Sequence, residues 1–381
     1  MLHKMRKKML HLFSSRVSMM ASFNRRQFIK LTSSGLLLAA APAWSLPASQ
    51  KKLGVALLGL GNYSTNLLAP ALQDTQFCEL RGIITGSPEK VPEWQRKYKI
   101  KDANVYSYDD MDTITDNDDI DIIYVVTPTG THKSFSVQAA NAGKHVWCEK
   151  PMAMDEKECQ AIIDACEKNG VKLAIGYRMQ HEPNTRTFGD YRDSRPYGPI
   201  TGLSSFAGYA GSGRPADNWR MQKDMGGGAL YDMGVYAING ARYMTGKEPV
   251  SVTGRHEKSH PKVFTEVDET TYFTMDFGNG VTADCGTSVV KGFNHLKTQC
   301  ENGWYELKPM QQYTGVTGFT SDGKKLSPIS KMQQALQMDN DAQAILGTGP
   351  ALVTGAEGLA DIRLVNAIFR AADTGNPVRL G

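Results

Sequence analysis

The 381 residues are 41% hydrophobic and 22% charged, a globular composition with enough apolar material for a sizeable core. At roughly 100 to 200 residues per domain, two domains are expected. The formal net charge of +4 is concentrated near the start, where Lys4, Arg6, Lys7, Lys8, Arg16, Arg25, Arg26 and Lys30 meet no acidic residue; the near-neutral remainder gives no support to a nucleic-acid partner.

That basic start reads as an address. Asn24-Arg25-Arg26-Gln27-Phe28-Ile29-Lys30 precedes an apolar run from Leu31 through Ala43, with Ala41-Pro42-Ala43 as a small-residue cleavage candidate. The pattern resembles a twin-arginine export signal. Residues 1–45 would then be a removable leader, and the mature protein would be periplasmic, exported folded. A membrane anchor is the alternative, but the run is shorter than the roughly 20 residues a spanning helix needs, so no membrane is expected as a partner of the mature form. Six cysteines remain: Cys78, Cys148, Cys159, Cys166, Cys285 and Cys300. An oxidising compartment would permit disulfides, yet their apolar settings predict core packing. None has metal-ligand spacing with a nearby His, so no metal site is expected.

From Leu53 the chain runs as a buried strand into Gly59-Leu60-Gly61-Asn62-Tyr63-Ser64, then into helical spacing from Asn66. A glycine turn between strand and helix is the opening of a dinucleotide site. Gly59 permits the tight turn, Gly61 lets backbone approach a pyrophosphate, and the helix start at Asn62 and Tyr63 offers free N–H groups. Ser64 replaces the third glycine. The second strand, Cys78 to Ile84, ends in Thr85-Gly86-Ser87-Pro88-Glu89-Lys90. Hydroxyls at Thr85 and Ser87 with Lys90 nearby suit a ribose 2′-phosphate, whereas an acidic residue there would favour a free 2′-hydroxyl. NADP is therefore preferred over NAD. Tyr106 is taken with this cofactor set.

A further apolar strand, Asp119 to Val126, breaks at Thr127-Pro128-Thr129-Gly130-Thr131-His132. Thr127, Pro128 and Thr131 make a strand-end turn of donors suited to a nicotinamide ribose or pyrophosphate; His132 stands with them, although a structural role suits it better. A helix from Ser134 to Ala142 leads into His145-Val146-Trp147-Cys148-Glu149-Lys150-Pro151, and another, Asp155 to Asn169, has Asp155 as its N-cap. Lys150, at the carboxyl end of a buried strand and beside Glu149, stands where open parallel sheets hold their ligands. A lone strand-end Lys would more often snorkel to water; the surrounding pattern argues for chemistry.

Beyond Gly176-Tyr177-Arg178 the texture changes to strands without regular helices between them: Ile200 to Tyr209, Val250 to Arg255, Thr270 to Phe277, Val281 to Val289 and Gly303 to Leu307. Such a run predicts a largely antiparallel sheet with one face free for a partner, hence a homo-oligomer, dimer or tetramer. The stretch Lys291 to Gln312 carries no legible pattern. Between the strands, Trp219-Arg220 and Gly226-Gly227-Gly228 lead into a helix on which Asp232 and Tyr236, four residues apart, share a face.

The Gly59-x-Gly61 turn, Thr127-Pro128, Gly143 to Pro151, Gly176-Tyr177-Arg178, Trp219-Arg220, the glycine triplet, Asp232 to Tyr236 and Asn239-Gly240-x-Arg242-Tyr243 together resemble the Gfo/Idh/MocA oxidoreductases, in particular their glucose-fructose oxidoreductase branch. The resemblance covers nearly all of the chain after the leader. It implies an α/β Rossmann domain with a doubly wound parallel sheet (51–172), a C-terminal α+β domain with an open-faced, largely antiparallel sheet (173–354), and a C-terminal helix (355–381) packing back on the first domain. It also implies tightly held NADP, sugar substrates, and Lys150 and Tyr236 at the reacting carbon.

Hydride transfer from a sugar carbon needs orientation and a proton acceptor. A free phenol ionises near pH ~10, so Tyr236 as acid–base would need a cation beside it, which Lys150 supplies. Asp232 would orient Lys150 or a sugar hydroxyl; Arg178 and Arg220 would bind cofactor or sugar, and Trp219 would offer a flat apolar surface. An exported enzyme far from a free NADP pool must reoxidise its cofactor with a second sugar. Leu46 to Lys52 is shorter than the arm that covers the cofactor in some glucose-fructose oxidoreductases. An NAD(P)-dependent glycosidase using transient oxidation and elimination is the alternative, and an idle sugar-binding protein ranks last, since Lys150 and Tyr236 are both present.

Overall fold

The computed structural model describes residues 51–211 and 213–380; the expected leader lies outside them. Strand β1 (Leu53–Leu58) is apolar throughout, with Val55 to Leu58 fully buried, as befits a strand covered on both faces. It lies at the centre of a sheet with β2 (Cys78–Ile84), β3 (Val105–Tyr106), β4 (Ile122–Val125), β5 (His145–Cys148) and β6 (Leu173–Ile175). The order is β3-β2-β1-β4-β5-β6, and every pairing is parallel. Strand order reverses between β1 and β4, so their carboxyl ends flank a crevice. Register fixes what meets there. Leu58 pairs with Val125 and Val125 with Cys148, so Gly59, Val126 and Glu149 leave the sheet at one edge.

Helices α1 (Val91–Tyr98), α2 (His132–Asn141) and α3 (Glu156–Lys168) connect these strands. The side chain of Asp155 caps α3 by accepting from Glu158 N at 2.8 Å. Because β6 pairs with β5 in this sheet, the first domain runs past Ile175 rather than ending at 172.

The second sheet has nine strands. β7 (Ile200–Gly208), β8 (Ser251–Glu257), β9 (Thr270–Asp276), β10 (Thr282–Ser288), β11 (Asn294–Cys300), β12 (Gly303–Leu307), β13 (Gly318–Thr320), β14 (Lys325–Leu326) and β15 (Val378–Arg379) take the order β14-β13-β12-β11-β7-β10-β9-β8-β15. Only β10 and β7 run parallel. The illegible stretch contains β11, whose sequence, Asn-His-Leu-Lys-Thr-Gln-Cys, buries alternate positions but is too polar to announce it.

Regular helices also interrupt the run of strands. α4 (Pro183–Ser194) starts on a Glu182 carboxylate that accepts from Thr185 N at 2.6 Å, with Pro183 in the first turn; α5 (Val235–Thr245) backs β7. α6 (Gln333–Leu346) returns to the first sheet, where Ala335, Met338 and Ala342 pack with Leu57, Ile83 and Tyr124. α7 (Gly355–Thr374) lies between α3 and β8. Its close fit shows at Gly358, where a Cβ would stand 2.8 Å from Met152 Sδ. All six cysteines are buried and unpaired, as core residues. No helix among the described residues is long and apolar enough to cross a membrane.

Candidate active site

At the carboxyl end of β1, Gly59 takes φ +97°, and a Cβ there would stand 2.7 Å from Val126 O, so only glycine turns this corner. At Gly61 a Cβ would meet nothing within 4 Å; its backbone faces open space, as approach by a pyrophosphate requires. Ser64 Oγ donates to Gly59 O at 2.5 Å, closing the turn where a third glycine would otherwise pack. The helix begins as a π turn, Ser64–Leu68. Lys90 Nζ reaches back to Leu60 O at 3.1 Å, and Thr85 Oγ1 accepts from Ser87 N at 3.0 Å. Thr85, Ser87 and Lys90 thus stand beside the glycine turn, at the strand end where an adenosine ribose would lie.

Tyr106 is a different case. Its hydroxyl donates to Ala103 O at 3.1 Å and accepts from Asn117 Nδ2 at 2.8 Å, at the end of the sheet opposite the crevice. Tyr108 stands at the mouth instead, its ring where a Cβ on Gly86 would fall, 2.9 Å from Tyr108 Cε2. Nothing in the local sequence distinguishes the two tyrosines.

In the loop after β4, Thr131 Oγ1 bonds Thr127 Oγ1 and Pro128 O, both at 2.7 Å. His132 is buried, with Nδ1 2.8 Å from Pro151 O and Nε2 2.8 Å from Thr127 O. It ties this loop to the Lys150 loop and is no cofactor ligand; burial holds its pKa down. Glu149 is also buried, accepting from Tyr124 Oη at 2.6 Å, and burial raises its carboxyl above the ordinary range. Tyr63 is raised well above the usual phenol range by burial and then by the Glu149 charge.

The charges converge where the second domain meets this edge. Gly226, at φ +76°, fits against Thr129, with 2.7 Å from its virtual Cβ to Thr129 Cβ. A Cβ on Gly228 would stand 2.2 Å from Asp268 Oδ1, and Asp268 Oδ2 accepts from Leu230 N at 2.9 Å. The triplet thereby delivers a π turn, Leu230–Gly234, running into α5; such turns are often found at functional sites. Lys150 Nζ donates to the backbone O of Asp232 at 2.8 Å, lies 4.0 Å from Asp232 Oδ1, and stands 4.6 Å from the Tyr236 ring centroid. Arg220 Nε donates to Asp232 Oδ2 at 3.1 Å, and its guanidinium carbon lies 4.2 Å from the Trp219 ring centroid. The structure thus brings Lys150, Asp232, Tyr236, Arg220 and Trp219 together, with one refinement: the Asp232 carbonyl, more closely than its carboxylate, holds Lys150.

Arg178 does not bind cofactor or sugar directly. It is 1% exposed; Nη1 bonds Gln312 O at 3.1 Å and Gln333 Oε1 at 2.5 Å, and Nη2 bonds Gln311 O. Tyr313, which follows these carbonyls, stands beside the site with its ring centroid 4.6 Å from the Arg178 guanidinium carbon, and the sequence gives no sign of it. It belongs to a segment with no legible pattern, more than a hundred residues from the arginine that anchors it.

A parallel sheet with a glycine turn at its switch point, a Lys held beside a Tyr and an Asp, and a second sheet behind them define a nicotinamide-dependent oxidoreductase. The profile of the oxidoreductase family with an NAD-binding Rossmann fold matches residues 53–177, and that of the GFO/IDH/MocA C-terminal domain matches residues 191–306. Aldose-aldose oxidoreductase from Caulobacter crescentus, crystallised with glycerol, is 36% identical, covers 87% of this chain and 100% of its own, and superposes with a TM-score of 0.82. D-xylose 1-dehydrogenase [NADP(+)] of Haloarcula marismortui is 24% identical over 87% of this chain and 94% of its own. Scyllo-inositol dehydrogenase from Lactobacillus casei, at 20% identity over 87% of this chain and 99% of its own, shares the fold with a TM-score of 0.72. The chain belongs to the Gfo/Idh/MocA family and is a sugar oxidoreductase.

Proposed function

We propose that this protein is a periplasmic NADP-dependent oxidoreductase that oxidises an aldose to its lactone and reduces a second sugar, ketose or aldose, on the same cofactor. The observation that carries the reading is Lys150 Nζ, 2.8 Å from Asp232 O and 4.6 Å from the Tyr236 ring, at the sheet edge that carries the glycine turn. Bound NADP would supply the carrier for a hydride passing from the first sugar to the second.

The chain's own groups do the rest. Tyr236 takes the proton of the aldose C1 hydroxyl as the C1–H bond gives up its hydride, and returns that proton to the carbonyl oxygen of the second sugar. An ammonium binds three acceptors; with one donor on Asp232 O, Lys150 keeps others to hydrogen-bond the reacting oxygen as charge develops on it. Arg220 holds the Asp232 carboxylate. Gly59 to Tyr63 would hold the pyrophosphate, and Thr85, Ser87 and Lys90 the 2′-phosphate. The NADP in the name of the Haloarcula relative and the two-sugar chemistry in that of the Caulobacter enzyme support this reading. Export rests on the Arg25-Arg26 motif. The outer face of the second sheet, where Phe206, Tyr272, Phe293 and His295 form one ring cluster, is the surface through which two copies would pair.

The test is to incubate the purified protein with glucose and fructose, then with pairs of aldoses, without added cofactor, and to follow lactone and reduced sugar by NMR. Equimolar formation of both is expected. Cleavage of a nitrophenyl glycoside in place of any sugar pair would instead establish the NAD(P)-dependent glycosidase.

A further inference from the structure

Among the exposed large hydrophobic residues of the described chain, Tyr313, at 44% exposure, is the only aromatic. It stands beside the reacting groups. The guanidinium carbon of Arg178 lies 5.2 Å from the Tyr236 ring centroid and 4.6 Å from the Tyr313 ring centroid. The Tyr63 ring, from the end of the glycine turn, is 6.0 Å from that of Tyr313.

The segment carrying Tyr313 is tied down more firmly than a surface loop requires. Asn294 Oδ1 accepts from Met310 N at 2.8 Å and Gln311 N at 3.0 Å. Gln311 Nε2 donates to Gly208 O at 3.1 Å, and Gln333 Nε2 to Gln312 O at 2.7 Å. To these Arg178 adds its bonds to Gln311 O and Gln312 O. Burying a guanidinium is costly; Arg178 is held by bonds from both Nη atoms, while its buried Nε has no hydrogen-bond partner. The outcome is an aromatic ring fixed before any ligand arrives, which is how a binding site limits the entropy lost on association.

We infer that Tyr313 is a sugar-binding platform, its ring lying against the apolar C–H face of a pyranose whose C1 is presented to Tyr236 and Lys150, and that Arg178 is the positioning residue that sets it. A pyranose has hydroxyls round its rim and carbon-bound hydrogens on its faces, so a half-exposed phenol ring next to polar rim partners complements it. A staple that only fastened the loop would not need an exposed aromatic at its end. The inference rests on the oxidoreductase reading of the site.

Steady-state kinetics with an aldose and its acceptor, without added cofactor, test it. Tyr313→Phe keeps the ring and should hold KM for the aldose within about twofold. Tyr313→Ala should raise that KM about tenfold, the scale of one lost aromatic contact, with kcat and bound NADP content unchanged. Arg178→Lys should raise KM as well, and the double variant should be little worse than Tyr313→Ala, because both changes remove one platform. An unchanged KM in Tyr313→Ala overturns the platform while leaving the oxidoreductase intact. Wild-type protein that oxidises no aldose overturns the oxidoreductase reading and the platform with it.

Discussion

Two clusters of buried charge lie on or against the same helix, α5, and they are built differently. Near its start, Lys150 has one direct hydrogen bond, to a backbone carbonyl, and stands 4.0 Å from the nearest carboxylate oxygen. Towards its end, Arg242 is saturated. Its Nε bonds Glu248 Oε2 at 2.9 Å, its Nη1 bonds Glu357 Oε2 at 3.0 Å and Asp361 Oδ1 at 2.7 Å, and its Nη2 bonds Glu248 Oε1 at 2.5 Å. Asn239 Nδ2 closes the cluster on Asp361 Oδ2 at 2.9 Å. A cation whose donors are spent inside the protein fastens α5 to α7. One whose donors remain free, beside a phenol and at the mouth of a dinucleotide fold, is available to a substrate. Degree of saturation, more than residue type, separates the structural charge from the working one.

The largest effect should come from Lys150→Met. Loss of the cation beside Tyr236 should lower kcat by about a thousandfold or more with little change in melting temperature; a variant that melts early and keeps its rate per folded molecule would reverse the assignment of the two clusters. Arg242→Met should do the opposite. Leaving Asp361 buried and unpaired should cost about 3 to 5 kcal/mol of stability, seen in urea titration, while the folded fraction retains its kcat within about twofold.

Asp232→Asn sharpens the picture within the working cluster. The amide leaves the backbone carbonyl on Lys150 in place, so kcat should fall by about tenfold or less, well short of Lys150→Met; equal losses would show that the carboxylate, not the carbonyl, sets the lysine. A separate, pH-dependent effect concerns His181, in the turn that follows Arg178. Burial pushes its imidazole down to about 4, below the ~6.5 of an unfolded histidine. A depressed base adds stability that is complete above the unfolded value and lost as pH falls towards the folded one. Between these limits the wild type should lose up to roughly 1.4 kcal/mol per pH unit more than His181→Gln, measured as urea midpoints across the acid range.

What the sequence discloses follows the range of the interactions involved. Gly59, Gly61, Thr127 and Lys150 are legible because strand, turn and helix sit within one short stretch and the turn chemistry is local. Asp232 and Tyr236 are legible as spaced polar groups on a helix, although the π turn at Leu230–Gly234 and the role of the Asp232 carbonyl require coordinates. Arg178, read as a ligand, proves to be an anchor, because its partners Gln311, Gln312 and Gln333 are brought to it by tertiary folding across more than a hundred residues. Tyr106 and Tyr108 stand two residues apart where a two-residue strand ends, so alternation gives no rule for choosing between them. α6 stays hidden for a related reason: Gln333, Gln334, Gln337, Asp339 and Asp341 are all buried, and a helix that buries polar side chains shows no apolar stripe.

Two-sugar turnover on a retained cofactor is read most directly in the near-ultraviolet absorbance of the protein purified without added cofactor, recorded before glucose, after glucose and again after fructose. A band of reduced nicotinamide should rise with the first sugar and fall with the second in the wild type, and stay flat in Tyr236→Phe that still carries its nucleotide. A wild-type spectrum that no sugar changes, with nucleotide present, would contradict that turnover.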